Sequence, residues 1–407
     1  MSSTNKQIIP VLDMFRLVAA LFVVLVHYEI IFGHFVIYGS LGTTALSWFF
    51  VLSGFIIAYN YPSLEALQDY KKFYTHRFVR IYPVYFLSVL VSALFVAIGF
   101  TVLGDQFFTE VRRPFEISYD LPEQKDNAFW INSTLRHLTF TQSISSIETL
   151  KLVFNGPLWS LVLEIYFYLA FPIFLFLLKP IKTMRRIIVA FIVGYILQFA
   201  LIQYFLPDVE NYDVMNLNVP VYTNPAIRGL EFVFGILLYK AFVLLPPITT
   251  KEKLNLIPLL IMVVAYLAIN VIGERYVPYQ YSMFFLAVPV VAILVFTMAR
   301  LHWYPEGSSY KFCLWAGGIS YVLYCFHWPL MEMIQLWNLV PQTIPFQWHL
   351  PLLIITLLVI SHVIYKWVET PIRKFLYRRL DPVRSVSYTH LRAHETEADL
   401  VCRLLLE

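Results

Sequence analysis

Residues 9–33 read IPVLDMFRLVAALFVVLVHYEIIFG, an apolar stretch long enough for one helix to cross a bilayer. The stretch nevertheless contains three ionisable side chains, Asp13, Arg16 and His27. A charge in hydrocarbon is costly unless it is paired or faces a wet cavity, so such residues mark the place to look for function. The stretch therefore predicts a membrane-spanning helix that lines an internal polar site.

The rest of the chain has the same apolar character. Of its 407 residues, 59% are hydrophobic and 14% are charged, and the mean hydropathy is +0.67. Soluble domains have about 45–50% apolar and about 25% charged residues, so this composition excludes a soluble enzyme. The net charge of +4 comes from short basic clusters between apolar runs, and we expect no nucleic-acid partner. The three cysteines have neither a disulfide nor a metal-ligand spacing, so we expect no metal site.

Apolar stretches of about 20 residues recur along the chain and predict an all-α, polytopic membrane protein with about ten transmembrane helices. The expected spans are 9–33, 38–60, 82–103, 157–179, 184–206, 227–246, 254–273, 281–300, 315–338 and 348–370. Lys and Arg cluster in the connections after the even-numbered spans, whereas 104–156 mixes both signs of charge and 207–226 has no base. The positive-inside rule then places both termini in the cytoplasm and residues 104–156 outside, as a cavity cover or a tether.

A change in composition near the C-terminus divides the chain. We assign residues 1–383 to a membrane domain and 384–407 to a cytoplasmic tail. Residues 387–407, SYTHLRAHETEADLVCRLLLE, resemble non-native read-through from a sequencing adapter, so we exclude them from the fold and the function. The alternative is a genuine amphipathic helix.

Two polar residues of the first span share a helix face. Arg16 and His27 are eleven residues apart, which returns a helix to within about 20° of the same direction while it rises about 16 Å. Asp13 lies one turn from Arg16 and can neutralise it. The less specific interpretation is that Arg16 extends to the cytoplasmic interface and that His27 makes an interhelical hydrogen bond.

Arginines mark the cytoplasmic start of the third span. Arg77 and Arg80 are three residues apart, so they share a helix face and can form a fork for phosphates. On composition alone, a positive-inside anchor reinforced by Tyr82 is the better explanation.

Polar side chains also occur in three later spans. The fourth span begins with Trp159 and Ser160, and Glu164 follows Ser160 by one turn; we expect this carboxylate to face the cavity of His27 or Arg16, or to be a structural counter-ion. In the ninth span, His327 precedes Pro329 and fits a helix-packing role better than a catalytic one. Near the end of the tenth, Glu369 fits an interfacial partner for Lys366 or Arg373.

In this combination the residues resemble acyltransferase family 3, a family of integral-membrane O-acyltransferases. Six elements occur in the family's order over residues 8–380: Leu12–Arg16 with His27, Phe49–Phe55, Arg77 with Arg80, Trp159–Ser160 with Glu164, Gly317–Pro329, and Val368–Pro371. No single motif is specific to the family, but six motifs in the family's order are strong evidence for the resemblance. Met14 departs from the family, which more often has Gly there, without touching the reactive groups.

The resemblance implies transfer of an acyl group, commonly acetyl, from cytoplasmic acyl-CoA to a hydroxyl of a cell-surface or exported carbohydrate. It implies that His27 is catalytic with support from Arg16, and that Arg77 and Arg80 bind a substrate. The implied partners are the lipid bilayer of the bacterial inner membrane, acyl-CoA as co-substrate and the carbohydrate acceptor, without a permanently bound cofactor. We add Glu164 to the catalytic residues and assign substrate binding also to Asp13, Trp159 and Ser160.

This chemistry suits the residues themselves. A general base that titrates near neutrality, such as His27, accelerates the attack of a sugar hydroxyl on a thioester by removing the hydroxyl proton. We expect Glu164 to orient the imidazole and Arg16 to balance charge on the thioester oxygen. Direct attack and an acyl-histidine intermediate both stay open. The alternative is a secondary transporter or flippase for a glycan or lipid-linked glycan, whose path these polar residues would line. A scaffold without chemistry leaves the intramembrane charges unexplained.

Overall fold

The computed structural model describes residues 9–380 except 35, 37–38, 105, 108–126, 145–152, 206–218, 247–254, 279–280, 302, 304 and 342. In this part of the chain the regular elements are all helical and no strand occurs, which confirms the all-α class. The tail 384–407 and most of the connection 104–156 lie outside the described residues.

The helices follow one another along the chain. They are α1 (Pro10–Phe32), α2 (Gly39–Asn60), α3 (Leu67–Leu103), α4 (Asn127–Leu138), α5 (Trp159–Leu178), α6 (Met184–Phe205), α7 (Pro225–Leu244), α8 (Ile257–Tyr276), α9 (Ala287–Ala299), α10 (Gly307–Leu336), α11 (Phe346–Ile364) and α12 (Thr370–Leu380). Short helical turns occur at Gln142–Ile144, Gly156–Leu158 and Val219–Tyr222, and π-helical turns at Tyr281–Leu286 and Tyr365–Glu369.

Seven helical segments in the described part are long and apolar enough to cross a membrane: α1, α2, α3, α5, α6, the segment that ends with α9, and the segment from α11 through α12. Each of the ten expected spans overlaps a helix. The seven do not include α7, because Arg228, Glu231 and Lys240 lie within its 20 residues. The number ten and the cytoplasmic location of both termini remain predictions.

The third helix is much longer than its expected span of 82–103. It begins at Leu67 and has 37 residues, which corresponds to a length of about 55 Å. The polar residues before Tyr82 lower the hydropathy, but they contain no helix breaker, so the helix continues through them. Arg77 and Arg80 are therefore on α3 itself, about three to four turns from its start.

Close helix contacts at small residues build the centre of the bundle. Gly54 of α2 faces Gly235 of α7. A Cβ atom at Gly235 would collide with the Val51 carbonyl oxygen of α2. On α10, Gly317 leaves room for the Asp13 side chain of α1. In membranes such small residues let helix backbones approach closely. As a result α10 lies directly beside α1, and their polar residues share one interior.

Part of the expected outside connection 104–156 packs within the bundle. Tyr85 lies midway along α3, and its hydroxyl donates to the carbonyl oxygen of His137 at the end of α4, at 2.8 Å. Further along, Asn155 Nδ2 donates to the Cys325 carbonyl oxygen of α10, at 2.9 Å. His137 and Asn155 are fully buried at these contacts, whereas Ile131 and Leu135 on the other side of α4 are exposed. One face of this described portion therefore packs against the spans, and side chains of the spans satisfy its polar groups.

Candidate functional site

Two histidines from distant parts of the chain meet inside the bundle. His27 of α1 has its Nδ1 atom 2.7 Å from Nε2 of His327 on α10. The two rings are nearly parallel, with 8° between their planes and 5.0 Å between their centroids. Trp328 packs edge-on against His27 with its ring centroid at 4.9 Å. His327 is fully buried and His27 is half-buried, so the pair is an intramembrane hydrogen-bonded unit.

The sequence of α10 holds His327 in place. Its Nδ1 atom lies 2.8 Å from the Tyr324 carbonyl oxygen, so the side chain bonds back onto its own helix. Pro329 has no N–H group, which leaves the carbonyl of Cys325 without its helical partner. Asn155 supplies the missing donor at 2.9 Å. The proline therefore attaches the start of the fourth span to the turn of α10 that carries His327.

The first residues of α5 lie next to the histidine pair. Ser160 Oγ is 2.5 Å from the Tyr324 hydroxyl, and the Tyr324 ring centroid is 5.8 Å from that of His327. Trp159 is turned away and packs on Tyr222, with ring centroids 4.8 Å apart. Of the two expected substrate-binding residues on α5, Trp159 and Ser160, only Ser160 is thus linked to the histidines, through Tyr324.

An ion pair lies closer to the N-terminal end of α1. Arg16 Nη1 is 3.6 Å from Asp13 Oδ1, and Arg16 also interacts electrostatically with Arg80 and Glu164. The eleven residues from Arg16 to His27 correspond to a rise of about 16 Å along the helix. Arg16 therefore belongs to a cluster of charged side chains that is separate from the histidine pair.

The carboxylate of Glu164 is held by two hydroxyl groups. Ser53 of α2 donates to Glu164 Oε1 at 2.7 Å, and Tyr168, one turn further along α5, donates to the same oxygen. In the described part of the chain Glu164 makes no hydrogen bond to His27. The place beside the imidazole where we expected Glu164 is taken by His327, because α5 directs Glu164 toward α2.

The two arginines of α3 are surrounded by aromatic rings. The Arg77 guanidinium lies 5.6 Å from the Tyr61 ring centroid and 5.9 Å from that of Tyr168, and Arg80 lies 5.8 Å from that of Tyr321. Arg77 Nε and Arg80 Nη1 are buried, and neither has a hydrogen-bond partner among the residues that the structure describes. Such unused guanidinium donors are suited to bind an anion.

A second carboxylate balances two of the arginines. Glu369 Oε1 lies 3.1 Å from Arg373 Nη1 and 3.9 Å from Arg80 Nη1. Of the two expected partners of Glu369, the structure selects Arg373, whereas the Lys366 ammonium lies over the Trp367 ring at 5.5 Å. Glu369 and Arg373 are almost completely buried, so this cluster is an interior feature and not a solvated surface.

Two of the polar groups inside the bundle make up the candidate site. One is the pair of His27 and His327. The other, the charged cluster, contains Asp13, Arg16, Arg77, Arg80, Glu164, Glu369 and Arg373. Together they combine a potential base with a site for anions. Among the described residues no three potential metal ligands lie together.

Sequence reasoning overlooked the partners of these groups. His327 was visible as an ionisable intramembrane residue, but nothing in the sequence indicated that it contacts His27. Ser53 and Tyr168 were not identified as hydrogen-bond donors to Glu164, although Tyr168 follows Glu164 by one helical turn. That spacing is the one local signal that the sequence offered.

Comparisons with known proteins identify the family of the chain. The family model of an acyltransferase domain matches residues 9–366. The peptidoglycan O-acetyltransferase OatA of Listeria monocytogenes is 25% identical over 387 residues, which is 91% of this chain and 56% of the relative. The putative peptidoglycan O-acetyltransferase YrhL of Bacillus subtilis is 24% identical over 383 residues, covering 91% and 55%. The acyltransferase MdmB of Streptomyces mycarofaciens is 26% identical over 203 residues, covering 49% and 46%.

The chain spans about half the length of these curated relatives. No solved structure matches it. The family match nevertheless extends from the start of α1 into the π-helical turn after α11, and so includes both histidines and most of the charged cluster. On that coverage, this multi-pass membrane chain belongs to acyltransferase family 3.

Proposed function

We propose that this protein is a membrane O-acyltransferase that transfers an acyl group, in the simplest case acetyl, from cytoplasmic acyl-CoA to a carbohydrate hydroxyl. The carbohydrate is a cell-surface or exported glycan, and the membrane is the bacterial inner membrane. The observation that carries the proposal is the half-buried His27 in the interior of an acyltransferase-family bundle, hydrogen-bonded at Nδ1 to His327. In the described part of the chain its Nε2 atom makes no hydrogen bond.

His27 Nε2 is the proposed reacting atom. In direct transfer it takes the proton of the acceptor hydroxyl while the oxygen attacks the thioester carbonyl carbon. The carbon–sulfur bond then breaks, and the proton passes from Nε2 to the departing CoA sulfur. In the alternative route Nε2 attacks the carbonyl carbon itself and the carbon–sulfur bond breaks, which gives a cationic acyl-imidazole and CoA thiolate. The acceptor oxygen then displaces Nε2 from the acyl group, and the proton of the acceptor hydroxyl goes to the thiolate. Both routes need an unprotonated Nε2 atom.

The charged cluster is the proposed site for the CoA phosphates. Arg77 Nε and Arg80 Nη1 are buried donors that make no hydrogen bond among the described residues, although Arg80 Nη1 lies 3.9 Å from the Glu369 carboxylate. Phosphate oxygens are suitable acceptors for both. Because about 16 Å of helix separate Arg16 from His27, a donor held at the cluster reaches the imidazole only through an extended arm. The chain between the phosphates and the thioester of CoA is such an arm. We therefore assign Arg16 and Asp13 to donor binding.

The names of the relatives support a glycan as the acceptor. OatA is named as a peptidoglycan O-acetyltransferase and YrhL as a putative one, and both align with 91% of this chain. A glycan hydroxyl is therefore the proposed nucleophile. Ser160 and Tyr324, whose hydroxyls contact each other while the Tyr324 ring lies 5.8 Å from that of His327, are the proposed hydrogen-bond partners for it.

The experiment uses the full chain in lipid nanodiscs with radiolabelled acetyl-CoA and glycan oligosaccharides. We expect release of CoA thiol and labelled glycan from the wild type. His27→Gln should keep CoA binding and lose transfer by on the order of a hundredfold. His362→Gln is the matched control, because this half-buried histidine bonds only Trp315 on the neighbouring helix, at 3.0 Å, among the described residues.

Two results would contradict the proposal. If His27→Gln retains near-normal turnover, His27 is structural. If the wild type moves a glycan across a membrane without consuming acetyl-CoA, the protein is a transporter of the kind that the sequence left open.

A further inference from the structure

We infer that His327 is a positioning residue that holds His27 in the tautomer with Nδ1 protonated and Nε2 free. The inference rests on the proposed function, because it concerns the atom that reacts there. Its evidence is a chain of three hydrogen-bonding groups, from the backbone of α10 through His327 to His27.

The chain starts at backbone carbonyls. His327 Nδ1 lies 2.8 Å from the Tyr324 carbonyl oxygen and 3.1 Å from that of Leu323. A carbonyl oxygen carries no hydrogen and can only accept. The proton of these bonds must therefore be on Nδ1 of His327.

The charge of the pair decides the next step. His327 is fully buried, and among the described residues neither histidine forms an ion pair with a carboxylate. An uncompensated imidazolium inside a membrane bundle is costly, so both rings are neutral at rest. A neutral ring has one N–H group, and in His327 it is at Nδ1. Its Nε2 atom is then an acceptor.

The contact at 2.7 Å transfers this constraint to the second ring. Because His327 Nε2 accepts, His27 Nδ1 must donate, and the single proton of the neutral His27 ring is at Nδ1. Its Nε2 atom consequently has a free lone pair. The opposite tautomer would place two lone pairs against each other at His27 Nδ1 and His327 Nε2.

The same bond assists once reaction begins. When His27 Nε2 takes a proton or an acyl group, the ring becomes cationic and its Nδ1–H group donates more strongly. His327 Nε2 is already in place as the acceptor, without a resting negative charge that the apolar interior would penalise. A neutral histidine thus does here what a carboxylate does for catalytic histidines in aqueous sites.

Three substitutions of His327 separate positioning from packing. In His327→Gln the side-chain oxygen can occupy the place of Nε2 and accept from His27. In His327→Asn the amide lies near the place of Nδ1, so the bonds to the α10 carbonyls survive but the acceptor for His27 is lost. His327→Phe fills the space without either bond.

We expect kcat to fall by less than about tenfold in the Gln variant and by on the order of a hundredfold in the Asn and Phe variants. KM for acetyl-CoA should stay unchanged, since the charged cluster is untouched. Thermal unfolding of each variant measures the packing cost separately. Equal kcat values for the Gln and Asn variants at similar stability would overturn the inference.

Nitrogen NMR of histidine-labelled wild-type protein tests the tautomer without any assay of activity. The His27 signals are assigned as those lost in His27→Gln. We expect one protonated nitrogen, Nδ1, and one unprotonated nitrogen, Nε2; a proton on Nε2 at rest would refute the inference. If the tautomer is as inferred but the wild type consumes no acetyl-CoA, the proposed function fails and the positioning of His27 stands.

Discussion

Exchange of either arginine of α3 for lysine tests the donor site directly. Lysine keeps the positive charge and the insertion of the helix, but it loses the planar fork that binds phosphate through two parallel hydrogen bonds. Folding should survive in the Arg80 variant, because the carboxylate of Glu369 keeps its 3.1 Å contact to Arg373. We therefore expect Arg77→Lys and Arg80→Lys to insert normally and to bind CoA more weakly.

The size of the effect follows from the contacts. One hydrogen bond to a charged group contributes about 1.5–3 kcal/mol, and each of these guanidiniums has a buried nitrogen that makes no hydrogen bond among the described residues and can donate to the ligand. Loss of one such bond corresponds to a rise in Kd for CoA of about tenfold to a hundredfold. The aromatic neighbours at 5.6–5.9 Å add to the loss, because a lysine stacks on them less well.

Isothermal titration of CoA into nanodisc-embedded protein measures the affinity. Arg378→Lys is the matched control, because Arg378 is exposed on α12. Unchanged CoA affinity in both α3 variants would refute the donor-site reasoning and would return Arg77 and Arg80 to the role of membrane anchors.

Three further predictions concern topology, tail and packing. A cysteine introduced at Asp120, which lies outside the described residues, should react with an impermeant thiol reagent from outside the cell; labelling only from the cytoplasmic side would invert the topology. Deletion of residues 387–407 should change neither expression nor turnover, and a loss of activity in well-expressed protein would show that the tail is genuine. Gly235→Ala should lower the free energy of unfolding by about 1–3 kcal/mol, because its Cβ atom would collide with the Val51 carbonyl oxygen. Gly229→Ala on the same helix meets only ordinary ring contacts and should unfold at a nearly unchanged temperature.

Several features of the site were predicted from local sequence alone. The pair of Asp13 and Arg16 could be expected because residues three apart on a helix are neighbours, and they form an ion pair at 3.6 Å. The contact of Glu369 with Arg373, four residues later, followed the same rule. Relations within one helix depend on helical geometry, which the sequence sets directly.

Relations between helices were predicted less well. We expected Glu164 to face the cavity of His27 or Arg16; it interacts with Arg16 and accepts hydrogen bonds from Ser53 and Tyr168, whereas His327 contacts His27. Which side chains meet depends on the rotation of each helix about its axis and on which helices pack against each other. Small residues such as Gly317 determine which helices approach closely, and the apolar composition of the spans does not reveal this pairing.

The sequence by itself determined that this is an all-helical membrane protein with ionisable groups in its interior. Hydropathy, the cost of buried charge and the helical repeat are local properties, so they can be derived from the amino-acid sequence. Only the tertiary structure decided that His27 meets His327, a residue 300 positions away, and that Arg16 lies in the separate charged cluster. Hydrogen bonds between residues so distant in sequence exist only once the helices have packed, since packing alone fixes which faces meet.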